Sequence, residues 1–173
     1  MTENLFCELG ELAELGSGAR VGKTVRIRRP ERVRIGRASI IDDFTYISCA
    51  LTMGRFSHIA ANATLIGGNG NIRIGDFVNL APGCRLITAT NDYSGGGLIG
   101  PNIPAEFAQE AIVADISLAD HVLLGTGTVV LPGCSLPEGL STGALCLITP
   151  GSKLEPWTLY TGIPAKPLKR REA

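Results

Sequence analysis

Residues 118–154 read LADHVLLGTGTVVLPGCSLPEGLSTGALCLITPGSKL, and in them Leu118, Leu124, Val130, Leu136, Thr142, Ile148 and Leu154 recur at steps of six. Four residues after each of the first six come Val122, Thr128, Cys134, Leu140, Cys146 and Ser152. A helix would place apolar residues three and four apart, and a half-buried strand would alternate for one short run and stop at a turn. A step of six that keeps restarting is the signature of a stacked repeat, with one short strand and one corner per unit and each coil burying the face of the next. The large first position fills the interior, and the mostly small residue four places on suits a crowded corner. Gly125 and Gly143 follow their first-position residues, where backbones approach closely. The spacing predicts a parallel β-solenoid.

Working outward, the step holds for Val21 and Ile27, slips by two after Val33, and resumes through Ile35, Ile41, Ile47, Met53, Ile59 and Leu65. It slips by three between Gly67 and Ile72, then continues at Ile74, Leu80 and Leu86. Slips of this kind are corner bulges. Before the repeat, Leu5, Leu9, Leu12 and Leu15 stand at helical steps, with Thr2 as an N-cap and Gly16 as a stop, which predicts a short helix covering the open end. Between Leu86 and Ile112 lies one long insertion, Asn91-Asp92-Tyr93-Ser94-Gly95-Gly96-Gly97 followed by two proline turns; long loops in compact domains are often functional. The expected organisation is one domain over residues 1–173: a cap over 1–20, a β-helix over 21–156 with an inserted loop over 91–111, and a tail over 157–173, where Trp157 is expected to seal the last coil.

Composition fits a layered aliphatic core, with 45% hydrophobic but only 5% aromatic residues in 173. No apolar run approaches the length of a membrane span, and Met1–Arg20 lacks the pattern of a signal peptide, so a cytoplasmic location is expected. The cysteines Cys84, Cys134 and Cys146 fall at the small fourth-step position, while Cys7 and Cys49 stand alone; all are read as buried thiols rather than disulfides or metal ligands. Eight of the 16 basic residues lie between Arg20 and Arg37. That cluster reads as a solvated face or as a docking surface for a phosphate-bearing acceptor or an anionic membrane. A net charge of zero gives no support to nucleic-acid binding.

Several stretches resemble one family. Phe56-Ser57-His58-Ile59-Ala60, Asn91-Asp92-Tyr93-Ser94-Gly95, His121-Val122 before Gly125-Thr126-Gly127, Gly143-Ala144, and Glu155-Pro156-Trp157 through Gly162-Ile163-Pro164-Ala165-Lys166 are similar to the hexapeptide-repeat acyltransferases. The likeness is to the galactoside and maltose O-acetyltransferases and, more closely, to the sugar acetyltransferases of bacterial surface-polysaccharide pathways. The resemblance implies an all-β, left-handed parallel β-helix whose coils are triangles of 18 residues. It implies acetyl-CoA as co-substrate, no metal, a sugar or nucleotide-sugar acceptor acylated on a hydroxyl or an amine, and a homotrimer with sites between subunits. The pantetheine arm is expected near Gly125, Thr126, Gly143 and Ala144, and the nucleotide end near Thr149, Lys166, Lys169 and Arg170, where lysines answer phosphates as point charges.

One departure bears on the chemistry. Galactoside-type members carry a general-base histidine at the start of the inserted loop, where this chain has Asn91. A histidine base is worth about two to four orders of magnitude in rate. The two histidines are His58 and His121; His58 is the candidate base, and Asp92 is placed to orient a histidine or take a proton. An amine acceptor needs no strong base once it is neutral. Counting units puts His58 and Asn91 at different corners, separated by on the order of 15 Å, so His58 would meet the loop of a neighbouring subunit. Two other classes remain: a non-catalytic β-helix scaffold, and a zinc hydratase like the gamma-type carbonic anhydrases, which needs three histidine ligands.

Overall fold

The computed structural model describes residues 8–172. The chain winds as a solenoid in which each coil contributes one strand to each of three faces. The first coil is β1 (Glu14–Leu15), β2 (Arg20–Val21) and β3 (Arg26–Ile27); the second is β4 (Val33–Ile35), β5 (Ile40–Ile41) and β6 (Tyr46–Ile47). The third is β7 (Ala50–Met53), β8 (His58–Ile59) and β9 (Thr64–Ile66), and the fourth β10 (Asn71–Ile74), β11 (Asn79–Leu80) and β12 (Arg85–Ile87). A two-stranded antiparallel clasp, β13 (Ala89–Thr90) with β14 (Ile112–Val113), closes the base of the insertion. The fifth coil is β15 (Ile116–Leu118), β16 (Leu123–Leu124) and β17 (Val129–Val130); the sixth is β18 (Ser135–Leu136), β19 (Ser141–Thr142) and β20 (Leu147–Ile148). The chain then adds β21 (Thr158–Thr161) to the second face and folds β22 (Lys166–Arg170) back against it, antiparallel.

The repeat dictates this architecture. From the second coil on, the short strands of the three faces point their hexad residues inward, and Ile35, Ile41, Ile47, Ile59, Leu65, Leu86, Val130 and Ile148 are fully buried. The fourth-step residues sit inside the corners. Where they are polar they hold backbone: Ser39 Oγ donates to the Gly54 carbonyl at 2.7 Å and Ser57 Oγ to that of Gly75 at 2.8 Å. Asp43, Asp76, Asp115 and Asp120 accept the backbone N–H of Thr24, Arg55, Asn71 and Asp76 at neighbouring coils. The buried corner hydroxyls of Ser39 and Ser57 are thus satisfied, as a dry interior requires. The slip after Val33 is absorbed just before it by a 3-10 turn at Pro30–Arg32.

Cys49, Cys84, Cys134 and Cys146 are buried and unpaired, and burial pushes the thiols of Cys49, Cys84 and Cys134 up to about 11. They are inert packing residues. Cys7 lies outside the described residues.

Two expectations need correction. The helix expected over 2–15 appears, in its described part, as a single 3-10 turn at Leu9–Glu11, and Glu14–Leu15 instead pair with β4; the part before residue 8 lies outside the described residues. Backbone pairing with Arg34 and Ile35 of β4 outweighs the helical leucine spacing. Nor does Trp157 seal the last coil. Tyr160 fills the interior at 2% exposure, its hydroxyl accepting from Glu155 N at 2.7 Å and donating to the Lys153 carbonyl at 3.3 Å. Trp157 lies outside, over Gly139, where a side chain on residue 139 would collide with its indole. It ends a corner stack that runs Phe56, Phe77, His121, Trp157, with ring centroids 5.2–5.8 Å apart. Among the described residues no helix is long and apolar enough to cross a membrane.

Candidate active site

On the second face, alternation puts Ile59 inside and His58 outside. Parallel register then fixes two outward rows. One runs Arg20, Ile40, His58, Asn79, Leu123, Ser141, Leu159 and Lys169. The other, at the corner toward the third face, runs Gly22, Asp42, Ala60, Ala81, Gly125, Gly143, Thr161 and Lys166. Small residues at the middle of the corner row leave a cleft of about 460 Å³, lined by His58, Asn79, Leu123, Ser141, Ala81 and Gly125.

At the N-terminal end of this cleft the His58 Nε2–H donates to Asp42 Oδ2 at 2.8 Å. The two side chains are 38% and 43% exposed. A carboxylate can only accept, so in the neutral ring this bond places the hydrogen on Nε2 and leaves the lone pair on Nδ1. At the other end, Lys169 and Lys166 close the two rows. Between β8 and β22 lie five strand spacings, about 24 Å.

Gly125 and Gly143 are neighbours in the corner row, and Thr126 and Ala144 follow them at the same corner, with the Thr126 carbonyl accepting from Leu145 N at 2.8 Å. The Gly125 N–H donates to Thr142 Oγ1 at 2.9 Å, and Thr142 Oγ1 also meets Thr128 Oγ1 at 2.9 Å. Thr142, which takes an interior position in the repeat, thus fixes the cleft wall.

Other candidates stand elsewhere. Asn91 and Asp92 follow β13, at the corner between the third and first faces, so within one chain they do not approach His58. Asp92 Oδ1 accepts from Ser94 Oγ at 2.6 Å and from Ser94 N at 2.8 Å, bonds that hold its carboxyl below the usual carboxylate value. Its backbone carbonyl accepts from Gln109 Nε2 at 2.8 Å, which ties the two arms of the loop together. Thr149 begins the corner after the third face, bonded to Ser152 Oγ at 3.1 Å, one face away from the cleft. Arg170 pairs with Glu155 at 3.7 Å, and Arg171 lies over the Trp157 ring. His121 is held in the corner stack, with φ 62. Among the described residues no three metal-binding side chains gather.

Sequence reasoning missed Asp42, Asn79, Ser141 and Thr142. Asn79 was within reach, because 18 residues plus the three-residue slip separate it from His58. Asp42 was not, since it stands 16 residues before His58 and meets it diagonally across the corner.

No family model matches the sequence. The chain is 31% identical over 144 residues to dTDP-4-amino-4,6-dideoxy-D-glucose acyltransferase of Escherichia coli, covering 82% of this chain and 73% of that protein. It superposes on AntD, an N-acyltransferase from Bacillus cereus in complex with dTDP and 3-hydroxybutyryl-CoA, with a TM-score of 0.88 at 31% identity, covering 94% and 85% of the two chains. A hexapeptide-repeat-containing acetyltransferase from Vibrio cholerae, complexed with acetyl-CoA, shares the fold at a TM-score of 0.61 and 21% identity, covering 95% of this chain and 74% of that one. The six-residue step, the three parallel faces and these likenesses agree: the chain belongs to the hexapeptide-repeat acyltransferases, enzymes built on a left-handed parallel β-helix.

Proposed function

We propose that this enzyme moves an acyl group, acetyl in the simplest case, from acyl-CoA to the amine of a nucleotide-linked amino sugar in the second-face cleft. The observation that carries this reading is the polarity of the cleft: two lysines with no ion-pair partner among the described residues end its rows on one side, and the His58–Asp42 pair stands on the other. A pantetheine arm laid along Gly143 and Gly125 would bring the nucleotide end, with its 3′-phosphate, to Lys166 and Lys169 and its thioester toward His58. The relatives supply the acceptor class, since a variant of AntD is seen with dTDP-4-amino-4,6-dideoxyglucose and coenzyme A.

In the reaction the neutral amine attacks the thioester carbonyl. The N–C bond forms, His58 Nδ1 takes the proton released from nitrogen, and collapse of the tetrahedral intermediate breaks the C–S bond. The same proton then goes to the departing thiolate. Asp42 acts as a positioning residue throughout. Because the sugar keeps its phosphoanhydride, the product is suited to a later glycosyl transfer, as in polysaccharide assembly, and both substrates are metabolites of the cytoplasm.

A thiol-release assay over nucleotide-linked amino sugars, free amino sugars and free sugars tests this. Release only with hydroxyl acceptors would overturn N-acylation. Reversing charge at Lys166 and Lys169 is expected to weaken coenzyme A binding about tenfold, and more than it weakens dephospho-coenzyme A binding. Equal losses would mean the strand acts through packing.

The assembly is proposed as a homotrimer in which the 91–111 loop of one subunit crosses the second face of the next, bringing Asn91 and Asp92 toward His58. The loop exposes Tyr93 at 83%, Phe107 at 58% and Leu98 at 57%, apolar surface that a lone subunit would leave in water. Light scattering should therefore report three chains. A stable monomer that retains full activity would remove the shared site.

A further inference from the structure

The row that carries His58 continues below it. Two strand spacings toward the N-terminus it passes Ile40 and reaches Arg20, and Lys23 stands at the adjoining corner, one residue beyond Gly22 in the Asp42 row. Both cations are exposed, and neither forms an ion pair among the described residues. Of their neighbours in the basic cluster, Arg34 pairs with Glu14, Arg29 bonds Asn69 and Arg37 lies over the Phe56 ring, while Arg26, Arg28 and Arg32 lie along β3 and the turn after it, off this face. The local carboxylates are also committed. Asp42 holds His58, and Asp43 Oδ1 accepts from Thr24 N and Thr24 Oγ1 at 3.0 and 2.7 Å, although it remains close enough to Lys23 to feel its charge.

Given the reaction proposed above, on which this inference rests, we infer that Arg20 and Lys23 hold the diphosphate of the acceptor, so that donor and acceptor enter the cleft from opposite ends. Two polyanions cannot share the Lys166 and Lys169 end without repulsion, and the second row of free cations lies at the far end. From Arg20 to His58 is two strand spacings, about 10 Å. That is the span needed to place a pyranose ring between a diphosphate at Arg20 and an amine at His58 Nδ1. Ile40, between the two in the row, gives the ring an apolar floor. Arginine's planar fork suits phosphate oxygens, and Lys23 adds a point charge from the corner.

Calorimetric titration of the full-length protein with dTDP and, separately, with coenzyme A tests the assignment. Arg20→Gln is expected to weaken dTDP binding about tenfold, Arg20→Gln with Lys23→Gln further, and Arg20→Lys less. Coenzyme A affinity should stay at the wild-type value, which also shows that the variants are folded. In turnover, KM for a dTDP-linked amino sugar should rise while KM for acyl-CoA does not. Equal dTDP affinity in the wild type and the double variant overturns the inference and leaves the reaction class standing. A wild type that binds no nucleoside diphosphate and acylates only free sugars overturns both.

Discussion

His58→Asn should lower the turnover number by about a hundredfold or more, with coenzyme A binding and the oligomer intact. Asparagine keeps a polar group at a part-exposed position on β8, so the fold loses little; what it removes is the ring nitrogen able to take and return a proton at the cleft. Asp42→Asn should cost less in rate and show itself differently. The imidazole then loses the partner that fixes its ring orientation, so kcat should fall while KM for acyl-CoA and the melting temperature stay near the wild type. A role for Asp42 that is merely structural would lower the melting temperature and leave kcat of the folded enzyme in place. If His58→Asn retains full activity, the neutral amine attacks without a protein base, and the chemistry rests on orientation by Asn91 and Asp92 of a neighbouring loop.

The fold was legible because a solenoid is written in one dimension. Leu118 to Ile148 name the interior of the last two coils without any long-range guess, and the slips after Val33 and between Gly67 and Ile72 mark irregular corners. The ends were less legible. Leu9, Leu12 and Leu15 fit a helix by spacing, but the open edge of β4 offers Glu14 and Leu15 backbone partners that no helix rule can see. Trp157 looked like a plug because of its size, yet the adjoining corner residue is Gly139, whose missing side chain leaves room for an indole outside. The site followed the same logic. His58, Gly125 and Gly143 share one face because strand alternation and coil length place them there. Lys166 and Lys169 join them only through the antiparallel return of β22, and Arg170, adjacent in sequence, is drawn off by Glu155. Thr149 is one face away for a simple reason: a residue on each face is needed to complete a coil.

Gly125 and Gly143 occupy equivalent places in the repeat but should respond differently to alanine. A methyl group on Gly125 would lie 2.5 Å from the carbonyl carbon and oxygen of Gly143 and 2.8 Å from Ala144 N, all backbone atoms of the coil above. Those atoms cannot retreat without breaking the corner, so Gly125→Ala should cost about 1–3 kcal/mol and lower the melting temperature by roughly 5 °C. On Gly143 the nearest atom is the Thr161 methyl carbon at 3.2 Å, which can shift by a few tenths of an ångström. Gly143→Ala should therefore melt close to the wild type. Both methyl groups nonetheless stand in the corner row along which the pantetheine arm is proposed to run. Coenzyme A affinity should consequently fall about tenfold in both variants, although only one of them is destabilised. If Gly143→Ala binds coenzyme A as the wild type does, the glycines are there for coil packing alone and the donor lies along another surface. Loss of binding without loss of stability, by contrast, is an outcome that repeat geometry by itself cannot produce.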